Sequence, residues 1–277
     1  MRADVFSPLL TYPDPTSDDA VRQTLEFIEP FASGITFCVM EVDIPNLPYR
    51  GVAAEIVNVP GMIAAAENRS RQTGHTLREL ATSIASKVEV STSTVQLTED
   101  QFPQAAARAA RTHDLAVIVL DPENAGQRRV AEGLAFGAGG PLLLLPAKAR
   151  QARNLDHVAI AWDGSCSATR AVRDAMPFIV QARQVSIVTA FDDKDIGAQT
   201  VLGLNQYLAR HGVEARHDDV SAAGISVGLA LQDGAIVTGA GLLVMGAFGH
   251  SRLREFILGG ATRATFDDLR LPVLLSH

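Results

Sequence analysis

What most constrains this chain is a set of short runs that are apolar at almost every position. HVAIAW (157–162), QVSIVTAF (184–191), AGLLVMG (240–246) and PVLLS (272–276) are the clearest, and segments of helical character separate them. A strand that faces water on one side alternates apolar and polar residues, whereas one that is apolar throughout is covered on both faces. Between the runs, SATRAVRDAMPFIVQA (167–182), AQTVLGLNQYLARHG (198–212), SVGLALQDGAIVTG (226–239) and ATRATFDDLR (261–270) carry apolar residues at helical intervals. VEARHDDV (213–220) reads as one further short strand. Strands alternating with helices in this way imply a parallel sheet with helices on both faces. Ligands of such sheets sit beyond the carboxyl ends of the strands, where the connections change direction.

The first half of the chain echoes the second. At an offset of 151, Ala20-Val21-Arg22 repeats as Ala171-Val172-Arg173, and Phe27-Ile28 as Phe178-Ile179. DLAVIVLD (114–121) parallels GAGLLVMGA (239–247), and PLLLLPA (141–147) parallels PVLLSH (272–277). The ordered recurrence indicates a tandem duplication. LLLLPAKARQARNLD (142–156) ends an apolar run at a proline and passes through a basic polar stretch, as an interdomain linker does. The expected organisation is two tandem doubly wound α/β domains, residues 1–147 and 157–277, each with a mostly parallel five-stranded sheet. They are expected to pair within the chain as two subunits would in a dimer. A homodimer of the whole chain is also open, through an edge strand such as PVLLS.

The last segment, VMGAFGHSRLREFILGGATRATFDDLRLPVLLSH (244–277), spaces three glycines as Gly246-x2-Gly249-x9-Gly259. Gly246 directly after a buried strand permits a sharp turn and close approach by a planar or sugar group. Gly259-Gly260 precedes a helical segment, whose first-turn amides and dipole favour an anion, and Thr262 can cap that helix. The other half of the constellation is AIAWDGSCSATRA (159–171). Here Asp163 ends a strand and either caps the following helix, as Ser165 or Ser167 also can, or accepts a hydrogen bond from a ligand. Strands one and four of a doubly wound sheet are neighbours, which brings Asp163 close to Gly246. Neither GxxxxGK[ST] nor GxGxxG is present, since Leu142 stands where GLAFGAGGPL (133–142) would need its last glycine.

On the three glycines, the DGS after the first strand and the terminal PVLL, residues 157–277 resemble a universal stress protein domain, whose nucleotide-binding members carry G-x2-G-x9-G-[ST]. The resemblance implies ATP or another adenine nucleotide, with or without magnesium. It implies an adenine contact from Asp163 and backbone contacts near Ala190. Ribose and phosphate contacts would come from Gly246, Gly249, His250, Gly259, Gly260 and Ala261. Gly260 departs from the pattern, standing where the family has Ser or Thr, so one phosphate-binding hydroxyl is missing. Arg252, Arg254 and Arg263 are available to neutralise phosphate, or are solvated surface charges. The first half matches only in outline: Tyr12 stands at the position of Asp163, and no G-x2-G-x9-G fits from Leu120 onward. It reads as a degenerate copy that does not bind a nucleotide in the same way.

Composition bears on what remains. A net charge of -7 (24 Lys and Arg against 31 Asp and Glu) argues against a protein built for nonspecific binding to nucleic acid, and leaves open a local basic site. The only cysteines, Cys38 and Cys166, form no metal-binding spacing and read as free thiols of a reducing compartment. No apolar stretch reaches the roughly 18 residues of a membrane span, and MRADVFSPLLTYPDP lacks the features of a signal peptide. The expected location is cytoplasmic. There is no GxSxG or HExxH, and the pairs Asp192-Asp193 and Asp218-Asp219 read as solvated loop charges. No catalytic residue or metal ligand is assigned. Three functions remain open: a regulatory nucleotide-binding protein, an interaction module of the same fold without nucleotide, and a slow ATP-hydrolysing enzyme.

Overall fold

The computed structural model describes residues 2–45, 58–84, 86–148, 155–190, 198–222, 224–247 and 260–277. In the first half the order is β1 (Ala3–Leu10), α1 (Asp18–Ile28), β2 (Ala32–Val42), α2 (Val59–Ser83) and β3 (Glu89–Leu97). A short 3-10 turn leads to α3 (Phe102–Ala110), β4 (Leu115–Leu120), α4 (Ala125–Gly137) and β5 (Leu142–Pro146). The second half runs β6 (His157–Ala161), α5 (Cys166–Asp174), α6 (Met176–Ile179), β7 (Gln184–Ala190) and α7 (Ala198–Arg210). It continues with β8 (Ala215–Val220), α8 (Val227–Thr238), β9 (Leu242–Gly246), α9 (Gly260–Asp267) and β10 (Val273–Ser276). The helix expected over 167–182 is thus divided just before Pro177, which has no N–H to donate to the Arg173 carbonyl four residues back.

The ten strands among the described residues lie in one sheet, ordered β3-β2-β1-β4-β5-β10-β9-β6-β7-β8. Each half has the same internal order, and every pairing is parallel except β5 with β10. The α/β class and two five-stranded parallel halves are therefore as the alternation of runs implies. The halves are joined edge to edge, Leu143 opposite Leu274. PVLLS, expected as an available edge, is β10 and is paired on both sides, because the chain's own β5 has taken that edge.

Strands buried on both faces separate two apolar cores. One holds Val21 and Ile28 of α1, Leu77 of α2, Val172 of α5, Ile179 of α6 and Leu208 of α7. The other holds Ala106 of α3, Leu134 of α4, Leu231 of α8 and Phe266 of α9. Both cores run through the junction without interruption. On one face Phe31 and Phe178 pack edge to face with centroids 4.7 Å apart. On the other, Arg128 of α4 is paired with Asp267 of α9 and with Glu132.

The repeat survives in side-chain detail. Gln23 of α1 donates from Nε2 to the Pro146 carbonyl at the end of β5, at 2.8 Å. Its counterpart at the 151 offset, Asp174 of α5, accepts from the Ser276 hydroxyl at the end of β10. The first helix of each half thereby holds the last residue of its junction strand.

Candidate functional site

The site predicted from sequence lies at the carboxyl ends of β6, β7 and β9. β6 is extended by the Trp162 amide, which donates to the Val188 carbonyl at 3.0 Å. The chain then turns at Gly164, whose φ of +73° is the left-handed conformation that glycine adopts without strain. Ser165 follows in extended conformation and caps α5, its hydroxyl accepting from the Ala168 amide at 3.1 Å. Asp163 is not the cap. Its Oδ1 accepts from the Ser165 amide at 2.9 Å, an Asx turn that leaves the carboxylate exposed. Capping and ligand binding are thus divided between two residues.

β9 lies beside β6, with Ile160 opposite Val244, so Asp163 and Gly246 end neighbouring strands as the switch-point argument requires. The reason for glycine at 246 differs from the expected one. Gly246 is the last residue of β9, opposite Ser276 of β10, and the strand does not turn there. A Cβ at this position would lie 2.4 Å from the Ala168 nitrogen and 2.6 Å from the Ser167 carbonyl carbon. It is the capped first turn of α5 that approaches Gly246 so closely.

At the far side, α9 begins at Gly260, which is exposed, and a Cβ there would meet nothing within 4 Å. Amides of its first turn have no acceptor within the helix. Ala261 is half-buried, and its carbonyl is covered by Gly228 of α8, where a Cβ would come within 2.2 Å of the oxygen. Thr262, expected as a cap, is the third residue of α9 and buried, since the helix already begins at Gly260, one residue before the segment of helical spacing. Arg263 is exposed, its Nε 3.8 Å from Asp267. Gly249, His250, Arg252, Arg254 and Gly259 lie outside the described residues.

Ala190 is the last residue of β7 and buried. Beside it is a polar group that sequence reasoning missed. Thr189 Oγ1 lies 2.8 Å from His217 Nε2 and is also hydrogen-bonded to Asp219, while His217 and Asp219 are 3.2 Å apart. Asp218-Asp219 therefore belong to a strand, not a loop; the β7–β8 register that sets Asp219 opposite Thr189 cannot be seen in either segment alone. Asp192 and Asp193 lie outside the described residues. Among the described residues no group of three acidic, cysteine or histidine side chains could hold a metal ion. Trp162, next to Asp163, is buried with its indole N–H unpartnered, which costs about 1–3 kcal/mol.

The matching region of the first half is built differently. Thr11 stands where Trp162 does; its hydroxyl donates to the Met40 carbonyl at 2.7 Å and lies 2.6 Å from the Ser70 hydroxyl of α2. Ser70 Oγ also accepts from the Val42 amide at 2.9 Å. Val42 ends β2 at the level where Ala190 ends β7, so that strand end is occupied by the protein's own serine. With the β1–β4 and β6–β9 registers carried forward from Thr11 and Trp162, Asp121, one residue past β4, stands where Gly246 does. The connection from β4 to α4 is only Asp121 to Asn124, against residues 247–259 in the second half. Asn124 caps α4, accepting from the Gln127 amide, and Gln127 Oε1 accepts from the Asp121 amide, both at 2.9 Å.

With this geometry in view, the chain can be set beside known proteins. It matches no protein-family model and no curated protein at significant similarity. A universal stress protein from Archaeoglobus fulgidus superposes with a TM-score of 0.71 at 14% identity, over 99% of this chain and 96% of that one. The fold is that of the universal stress proteins. A Pseudomonas aeruginosa protein of unknown function is also similar, with a TM-score of 0.56, 15% identity and coverage of 98% and 92%. A third structure, from Pseudomonas aeruginosa and provisionally described as a universal stress protein, has a TM-score of 0.58 at 14% identity, covering 99% and 92%. These likenesses span both halves, so the universal stress protein fold here includes the half without the glycine spacing. No helix among the described residues is long and apolar enough to cross a membrane.

Proposed function

We propose that this chain binds an adenine nucleotide through its second half alone, and that occupancy serves a regulatory role in stress response instead of rapid turnover. The observation that carries the reading is the asymmetry between two halves of one fold. In the second half Asp163 and Gly246 end neighbouring strands, and the chain returns to α9 through residues 247–259. In the first half Ser70 closes the end of β2, and a four-residue connection that begins at Asp121 takes the place of residues 247–259. Asp163 suits a base or ribose contact: the Asx turn fixes the carboxylate through Oδ1 and leaves Oδ2 to accept a hydrogen bond. The first-turn amides of α9 suit phosphate.

Gly260 favours a second reading, an interaction module of the same fold without nucleotide, because the hydroxyl of the family pattern is absent. Equilibrium dialysis of the full chain with ATP, ADP and AMP separates the two. One nucleotide bound per chain is expected, with binding weakened by Asp163→Ala. A Cβ at Gly260 meets no atom, so Gly260→Ser is expected to fold normally and to tighten binding about 2- to 10-fold, the worth of one hydrogen bond. No binding by the wild-type chain, or binding indifferent to Asp163→Ala, overturns the nucleotide reading. A slow ATPase would need a positioned base or metal, and among the described residues no group of three metal-ligating side chains is found.

A further inference from the structure

The ten-stranded sheet ends in two edges of different character. β8, ARHDDV, is six residues long and carries Arg216, His217, Asp218 and Asp219. Charged side chains on an edge discourage another strand from pairing with it. β3, EVSTSTVQL, is nine residues long, without proline or lysine, and its only charge is Glu89 at one end. Its register with β2 runs from Gly34–Glu89 to Val42–Leu97 without a bulge. Every residue of β3 is half-buried or exposed; α2 reaches one face of it, where Arg78 Nη1 donates to Thr94 Oγ1 at 2.6 Å.

The hydrogen-bonding direction along β3 follows from one bond. The Asp43 amide donates to the Leu97 carbonyl at 2.9 Å, so Leu97 faces β2. Backbone groups alternate in direction along a strand, and the register is regular. Val90, Thr92, Thr94 and Gln96 therefore turn both N–H and C=O outward, and these groups have no partner among the described residues.

We propose that this edge pairs with the same edge of a second copy, antiparallel about a two-fold axis perpendicular to the sheet. Such an axis keeps each side chain on its own face, so facing residues must have the same parity. The register centred on Ser93 uses all four outward residues: Val90 faces Gln96 of the second copy, and Thr92 faces Thr94. On the other face Ser91 meets Val95, and Glu89 meets Leu97. No charge of β3 itself is set against a like charge, and the central pairs are hydroxyl-bearing residues of the kind that stabilise antiparallel partners. The contact is isologous and closes after two copies. The molecule already contains a junction of this kind, since β5 and β10 join its halves by antiparallel pairing of edge strands. A charged peptide would gain nothing from the uncharged centre of β3, and a copy of the strand itself is the partner that this sequence fits.

Sedimentation equilibrium of the full chain at tens of micromolar should show a dimer. Thr92→Pro removes an outward N–H that no strand among the described residues uses, so it should leave the monomer folded and abolish pairing. Thr92→Lys keeps the N–H and places a charge at the centre of the contact; it should raise the dimer dissociation constant at least about 100-fold. Circular dichroism reports the fold of each variant, and the lysine variant stands alone if the proline variant does not fold. A wild-type monomer at these concentrations overturns the proposal. So does a dimer whose stability is unchanged in a folded Thr92→Lys variant.

Discussion

Gly246 shows how a residue can be required for one reason and read for another. Its position after a buried run suggested a turn beside a ligand, whereas the structure brings the backbone of α5 against it. Gly246→Ala forces that helix and strand apart, and overpacking of this kind costs about 1–3 kcal/mol. The loss should appear as a lower urea midpoint; an unchanged midpoint would show that α5 can move freely. A second residue gives the protein a dependence on pH. His157 is buried at the start of β6, its Nε2 3.0 Å from Ser186 Oγ. Burial holds its pKa below the ordinary 6.5, against the opposing pull of the Thr238 backbone and Asp218, while Arg216 adds to the lowering. A lowered folded pKa means that the unfolded chain binds the proton more readily. The contribution to stability is complete above about pH 6.5 and is lost as pH falls through the lowered folded value. Urea unfolding between pH 7.5 and 5 should therefore show a decline that His157→Gln makes shallower.

At the scale of elements, the apolar runs were legible because parallel strands covered on both faces have little room for polar side chains. The order of strands followed, and with it the neighbourhood of Asp163 and Gly246. Less legible were features that depend on register. The Thr189–His217–Asp219 group exists because β8 is set against β7 at one offset, and neither strand shows this by itself. β3 escapes a search for apolar runs, since an edge strand with two partly open faces can be built from Ser and Thr. The helix at 167–182 was legible in extent, but not in its break at Pro177. The short β4–α4 connection was visible only as a glycine spacing that could not be fitted; the serine from α2 that fills the strand end was not visible at all.

At the scale of the molecule, both cores cross the junction, and the halves are fastened on either face by Phe31–Phe178 and by Arg128–Asp267. The chain should consequently unfold in one transition. Trp162 is the sole tryptophan and reports on the second half, whereas far-ultraviolet circular dichroism reports on both. Their urea curves should coincide, and Phe178→Ala should move them together by about 3–5 kcal/mol. Two separated transitions would show that the halves melt independently.

The β5–β10 junction has a consequence for how the two copies can differ. In a pair of separate chains, association depends on concentration, and each partner must keep a surface that recognises its equal. Within one chain the partner is always present at a high effective concentration, and dilution cannot part them. A half that has closed the end of β2 with its own Ser70 therefore still meets the other half in every molecule. The ratio of the two kinds of half is fixed by translation of one message, at one to one, with no need to sort mixed pairs from like pairs.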